Sequence, residues 1–265
     1  MQETARMRVC AAIGMLLLSP LAGPAQTPQE KGRAIAQEAD RRNGGFGDST
    51  ARLRMTLRNR QGQVSERELR IRLLEVADGT KSLCIFDSPA DVKQTILLTH
   101  THKAAPDDQW LYLPALKRVR RIAAQNKSGS FMGSEFSYED IATHVMEKYT
   151  YNWLRDEPCD GQDCYVIERR PIDSRNSGYT RQIVWLDKAE YRMLKVDYYD
   201  RKESLLKTLT FKEYREYLDR FWRPHDMNMM NHQTGKSSQL LWSELAFETG
   251  LTENDFNQAN LATIR

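Results

Sequence analysis

Two histidines separated by one residue, His100 and His102 in the run THTH, come closest to a metal-binding pattern in this chain. Side chains two apart on a strand project from one face, so both rings could reach one ion, with Asp107 or Asp108 joining them. A lone His-x-His pair without a fixed third ligand does not make a metal centre, and no metal is assigned. Ser130 and Ser134 flank Phe131, Met132 and Gly133, with His144 downstream. A nucleophilic serine needs a base and an acid within reach, and the strained Gly-x-Ser-x-Gly turn is missing, so no catalytic residue is assigned either. In Asn126-Lys127-Ser128-Gly129-Ser130 the lysine precedes its glycine, the reverse of a phosphate-binding loop. No residue pattern asks for a cofactor.

Cys159 and Cys164 bracket Asp160-Gly161-Gln162-Asp163, a turn sequence between two strand-like runs. In an oxidising compartment they would bridge the mouth of that hairpin; the rival reading, half of a metal site, lacks two further ligands nearby. Cys84, within Leu83-Cys84-Ile85-Phe86, reads as a buried free thiol. Lys117, Arg118, Arg120 and Arg121 sit on and after the turn-like Pro114-Ala115-Leu116-Lys117. A nucleic-acid surface wants further basic clusters and aromatics on the same face, and the whole chain carries only +3 over 265 residues. Nucleic acid is therefore not expected as a partner. Two readings stand: a solvated basic edge, or a docking patch in which Arg118, Arg120 and Arg121 meet an acidic partner or anionic headgroups.

The elements that carry these residues begin with a leader. Arg6 and Arg8 precede the apolar run Val9–Leu18, then Ser19, Pro20 and the small-residue stretch LAGPAQ. That order is a secretory signal, expected over residues 1–25 and cleaved. The run is too short to cross a bilayer, which takes roughly 20 apolar residues. No other run is long and apolar enough to span, so residues 26–265 are expected to be one exported domain with no transmembrane segment.

Pro28 opens and Asn43-Gly44-Gly45 closes an amphipathic helix with a thin apolar face of Ala34, Ile35 and Ala39. The period then changes from helical to two. Leu53, Met55 and Leu57 alternate with Arg52, Arg54, Thr56 and Arg58; Leu69, Ile71 and Leu73 alternate with Arg70 and Arg72. About a dozen such runs follow to the C-terminus, most joined by short turns, which makes neighbours antiparallel. Helices are few: Ser137 and Asp140 form a near capping box ahead of a short one, and Thr252 and Asp255 another. The fold class is mainly β (α+β), one long antiparallel sheet that must curl. Its apolar faces include Tyr149, Tyr151 and Trp153 on one strand, Ile183 and Trp185 on another, then Met227 and Met229, and Leu240 and Trp242. Either the sheet folds over and these residues fill a core, or it curves around a partly hollow interior for a greasy ligand. Phe131, Met132 and Phe136, in a Gly/Ser-rich loop ahead of the capped helix, would suit a gate over such a cavity.

WLYLPALKRVRRI (110–122) followed by KSGSFMGSEFSYEDI (127–141) resembles the outer-membrane lipoprotein-sorting family, the LolA-like periplasmic proteins, in the subgroup found beside RND-type export permeases. The opening GRAIAQEADRRNGGFGD and the ending RPHDMNMMNHQTGKSSQLLWSELAFETGLTENDF resemble the same subgroup. The resemblance implies an incomplete, half-open barrel with short helices as a lid over a hydrophobic cavity, in a monomer without catalytic residues. It implies a periplasmic carrier of lipoprotein acyl chains or another lipid that serves an RND-type exporter, with an RND-type inner-membrane permease and an outer-membrane acceptor as partners. On that reading strand alternation makes Leu53, Met55, Leu57, Leu69, Ile71, Leu73, Tyr151, Trp153, Trp185, Met227, Met229 and Trp242 the cavity lining, with Phe131, Met132 and Phe136 at the gate. The alternative is a solid β adaptor of a membrane exporter with no lipid cargo.

Overall fold

The computed structural model describes residues 26–264; the expected leader, residues 1–25, lies outside them. The first helix, α1 (Pro28–Asn43), starts at a capping box in which Thr27 and Glu30 satisfy each other's backbone N–H groups. Its buried residues are Gly32, Ile35 and Ala36, with Ala39 packed alongside, whereas Ala34 is exposed. The apolar stripe thus runs 32, 35, 36, 39, the spacing of one helix face.

Thirteen strands follow: β1 (Asp48–Arg58), β2 (Val64–Val76), β3 (Gly79–Ser88), β4 (Ile96–His102), β5 (Asp108–Leu113), β6 (Arg118–Ile122), β7 (Tyr149–Cys159), β8 (Gln162–Pro171), β9 (Arg181–Asp187), β10 (Met193–Tyr199), β11 (Leu205–Tyr217), β12 (Phe221–Asn231) and β13 (Ser237–Phe247). They form one antiparallel sheet in the order β6-β5-β4-β3-β2-β1-β13-β12-β11-β10-β9-β8-β7. Every neighbour pair is a hairpin except β1 with β13, which joins the two meanders with Leu53 opposite Trp242 and Met55 opposite Leu240. The turn at β5–β6 is tight, with Lys117 in the left-handed region at φ 47°.

The sheet is not closed: β6 and β7 are its two edges among the described strands, yet they are consecutive in the chain. Residues 123–148 must therefore travel from one edge to the other, and they do so across the inward face. The hydrogen bonds of this segment record the route. Gln109 of β5 donates to the Tyr138 carbonyl, Arg67 of β2 to that of Met132, and Lys207 of β11 to that of Glu135, while Ser238 of β13 accepts from the Glu135 N–H. The short helix α2 (Tyr138–Ile141) within it has both halves of the Ser137–Asp140 capping box. The N-terminal helix covers the other end of the same face, against β7.

Strand alternation sorts the core. The inward cluster joins Leu53, Met55, Leu69, Phe86, Leu97, Tyr151, Ile167, Val184, Leu186, Met229 and Leu240, with Leu57, Ile71, Trp153, Met227 and Trp242 partly buried against it. Outward, Leu83, Ile85, Ile96 and Leu98 lie under Phe256 and Leu261 of the C-terminal segment, and Cys164, Val166, Ile183, Trp185 and Leu194 form a third cluster.

Candidate functional site

Two structures block the inward face, and they block it differently. Phe131 and Phe136 are fully buried. Phe131 packs 5.7 Å from Phe86 and 5.7 Å from Tyr138, centroid to centroid. A buried ion pair fixes the loop that carries them: Lys207 Nζ lies 2.5 Å from Asp140 Oδ2, and Ser137 and Tyr179 donate to the same carboxylate. At this end the interior is solid, and Phe131 and Phe136 plug it where a mobile gate was expected; Met132 is only partly buried beside them.

At the other end, beneath α1, side chains do not fill the space. A cavity of about 750 Å³ lies there, within the range of small-molecule sites. Its apolar wall comes from Ala36 and Ala39 of α1, Leu73 of β2, Tyr151 of β7, Ile167 of β8, Val184 and Leu186 of β9, Met193, Phe211 and Met227, with Val145 and Met146 closing one side. Asp40, Arg42, Glu75, Glu190, Arg220 and Arg223 form its polar rim. A second cavity of about 510 Å³ lies on the far side of Thr143–Glu147, and Lys103, Thr143, His144, Val145, Glu147 and Arg169 border both.

The covering helix is seated by close approach and by a few polar ties. A Cβ built on Gly32 would meet the backbone of Asn152 and Trp153 at 2.5 to 2.8 Å, so only glycine lets α1 rest on β7. Lys31 stacks over the Trp153 ring at 3.4 Å. At the other end of α1, Arg223 donates to the Asn43 side chain at 2.6 Å and to its carbonyl at 2.9 Å, a cation at a helix C-terminus. Burial pulls the Arg223 guanidinium down to about 10.

The dividing wall is aromatic. His144 stacks on Tyr149 at 4.8 Å and lies 3.3 Å from the Tyr151 hydroxyl. Burial, with Arg169 and Lys148 nearby, holds His144 well below the ordinary histidine range, so its ring is neutral at pH 7. Burial also raises the Tyr149 hydroxyl to about 12 and pushes those of Tyr151 and Tyr198 up. Ser134 and Ser130 donate to backbone carbonyls of their own loop, not to His144. His100 is hydrogen-bonded to the Phe256 carbonyl, and His102 lies between Asp78 and Asp108.

Among the residues assigned to the lining, Leu73, Tyr151 and Met227 border the larger cavity. Leu53, Met55, Leu57, Leu69, Ile71, Met229 and Trp242 share the inward face but pack in its solid half, and Trp153 lies under α1. Trp185 is a correction: it faces outward, where Lys195 sits 3.5 Å over its ring and its indole donates to Glu157. Every residue from Gln182 to Asp187 is buried, so alternation could not say which set points inward. The lining that the sequence reading missed is Ile167, Val184, Leu186 and the helix residues. Arg169 was missed as well, although it stands two positions from Ile167 on one strand face and its parity is legible.

Cys159 and Cys164 lie on one face of the β7–β8 hairpin, opposite Gln162 and Glu157 respectively, as free thiols. Burial lifts the Cys84 thiol to about 12. On the edge strand β6, Arg118 and Arg120 share one face and Arg121, on the other, pairs with Asp108. Charged edges of this kind prevent strand-to-strand aggregation.

Comparison with known proteins places this geometry. A family model described as an uncharacterized protein matches residues 78–263. No curated protein matches. A solved domain from Vibrio parahaemolyticus, assigned as an outer-membrane lipoprotein-sorting protein, is 58% identical, covers 88% of this chain and 99% of its own, and superposes with a TM-score of 0.86. A DUF1329 family protein from Desulfovibrio piger is 33% identical over 89% of this chain and 99% of its own, TM-score 0.83. A LolA superfamily protein from Nitrosomonas europaea, 20% identical over 86% of this chain and 98% of its own, shares the fold with a TM-score of 0.70. The open antiparallel sheet is shared with these relatives, and the chain belongs to the family of the outer-membrane lipoprotein-sorting domain from Vibrio parahaemolyticus and the DUF1329 protein.

Proposed function

We propose that this protein is a periplasmic carrier that takes hydrocarbon tails into the cavity beneath α1 and moves them through water. Residues 1–25 are its export leader and residues 26–265 its carrier domain. The observation that supports the reading is the cavity itself, about 750 Å³ with a largely apolar wall. Each methylene taken out of water is worth about 0.8 kcal/mol, so an acyl chain is driven into such a space without specific contacts. Release needs only that α1 lift. The polar ties that hold it are Arg223 and Arg220 at its C-terminal end, Arg42 to the Ala189 carbonyl and Glu190, and Lys31 at the start. Among the described residues no helix is long and apolar enough to cross a membrane.

The cargo is a lipoprotein acyl group or another lipid, passed from an inner-membrane donor, an RND-type permease, to an outer-membrane acceptor. The β6 edge, with Arg118, Arg120, Arg121 and the exposed Leu116, is the face we assign to docking. The adaptor reading draws on one observation, the solid half of the interior around Phe131 and Phe136. Organic extraction of the protein purified from a bacterial periplasm, followed by mass spectrometry, separates the two. A carrier yields lipid in near-stoichiometric amount; an adaptor yields none and takes up none from vesicles.

A further inference from the structure

Arg169 stands on the inward face of β8, between Tyr151 of β7 and Gln182 of β9 in the register of the sheet. It is only 9% exposed. A buried guanidinium is normally matched by a carboxylate. Here its Nε donates to Gln182 Oε1 at 2.5 Å, and among the described residues no carboxylate lies within ion-pair distance of it. Its two Nη groups, four N–H donors in a planar fork, have no acceptor among those residues. Three nearby carboxylates are committed elsewhere, and Asp40 and Glu147, which border the larger cavity with it, make no ion pair with Arg169. Asp140 is held by Lys207, Glu139 accepts from Ser177 and the Gly178 N–H, and Asp107 binds Lys127 and Lys148. The rings around Arg169 are Tyr149, with the guanidinium 5.3 Å from its centroid, Tyr151 and Tyr198, none of which carries charge at neutral pH. Arg169 borders both cavities, at the seam where the chamber under α1 meets the smaller one.

We infer that Arg169 is the head-group anchor of this carrier, and that its cargo is an anionic amphiphile whose carboxylate or phosphate receives the guanidinium fork while its tail lies along Ile167, Val184 and Leu186. This rests on the carrier reading and narrows it. An ester- or amide-linked acyl group has no charge at its carbonyl end and would leave the fork unanswered. A carboxylate or phosphate accepts two parallel N–H bonds from arginine, which fixes orientation as well as adding affinity.

The test uses the delipidated full chain and displacement of the neutral fluorophore N-phenyl-1-naphthylamine by palmitate, hexadecyl phosphate, 1-hexadecanol and acetate. The wild type should bind the two anionic amphiphiles at least about tenfold tighter than the alcohol, the scale of a charge-assisted pair. Acetate should not compete, since without a tail the anion has little to hold it. Arg169→Gln should bring palmitate and hexadecanol within about twofold of each other. Arg169→Lys should keep part of the preference. Equal binding of acid and alcohol by the wild type overturns the anchor while the carrier reading stands, and needs no variant to fold. Retention of the preference by Arg169→Gln, or competition by acetate alone at the same concentration, also overturns it. If neither amphiphile binds, the anchor and the carrier reading fall together.

Discussion

Replacing Gly32 by alanine tests how the cavity is covered. On helix propensity alone the change should stabilise, because alanine is favoured over glycine in a helix interior by about 1 kcal/mol. The structure reverses the sign. The new methyl would lie 2.5 Å from Trp153 N, 2.6 Å from Asn152 C and 2.8 Å from Asn152 Cα, against an ordinary contact of 3.4 Å or more. All three are backbone atoms of β7, which is hydrogen-bonded to β8, so no rotamer change relieves the overlap. The helix must retreat by about 0.9 Å. A gap of that size forfeits a quarter to a half of the dispersion energy of every contact it opens, notably under Ile35 and Ala36. Overpacking of this kind costs roughly 1–3 kcal/mol, and its rigid partners place it at the upper end. Net of the propensity gain, Gly32→Ala should lose about 1–2 kcal/mol, a fall in Tm of about 2–4 °C for each kcal/mol in a chain of this size. Urea denaturation followed by circular dichroism reads the stability, and stopped-flow release of a fluorescent fatty acid should show faster exit through the loosened cover. A Gly32→Ala protein as stable as the wild type, with unchanged release, would refute the close seating of α1.

Two other outcomes follow from the same structure, and a third from the spacing of the hairpin cysteines. Lys207→Met leaves Asp140 buried with only Ser137 and Tyr179 as partners, and should cost about 3 kcal/mol in denaturant unfolding, the lower end for a broken buried pair; a loss under about 1 kcal/mol would show that the pair does not fix the plug. His144 is surrounded by Tyr149, Tyr151, Arg169 and Lys148, and its pKa lies below the ordinary 6.5. The unfolded chain therefore takes up a proton first, so stability should be full above pH 6.5 and fall on acidification, by at most about 1.4 kcal/mol per pH unit. His100, lowered mainly by burial, acts in the same direction, so His144→Gln should flatten the slope of unfolding free energy against pH without abolishing it; an unchanged slope would remove His144 from the account. In protein matured in an oxidising compartment, thiol titration under denaturing conditions should find Cys84 free and Cys159 and Cys164 joined, and reduction should lower stability by about 2 kcal/mol for so short a loop; free thiols at all three positions would leave the hairpin unbridged.

The strand framework was legible because its faces alternate cleanly where one side meets solvent. Leu53, Met55 and Leu57 against Arg52, Arg54 and Arg58 fix the inward side of β1, and Leu69, Ile71 and Leu73 that of β2. The capping box at Ser137 was equally readable, since it is a local pattern that closes within one turn. What local patterns could not carry is the difference between the two halves of the inward face. Phe131 and Phe136 come from a Gly/Ser-rich loop, yet they fill the core because β6 and β7 are neighbours in sequence and opposite edges in space. That crossing is a property of strand order, which periodicity does not reveal. Strand β9 is buried on both faces, so Trp185 and Val184 are indistinguishable by hydropathy. Arg169 carried a signal that went unread, an arginine at the inward parity of a strand whose other inward residues include Ile167.

The central claim, that the chamber beneath α1 holds a hydrocarbon tail, is tested most directly by a crystal structure of the protein grown with ω-brominated palmitate and measured at the bromine edge. The account predicts a bromine peak inside the chamber bounded by Ile167, Leu186 and Met227, with the tail continuous from there toward Arg169. A chamber closed by the protein's own side chains, or bromine found only on the outer surface, would contradict it.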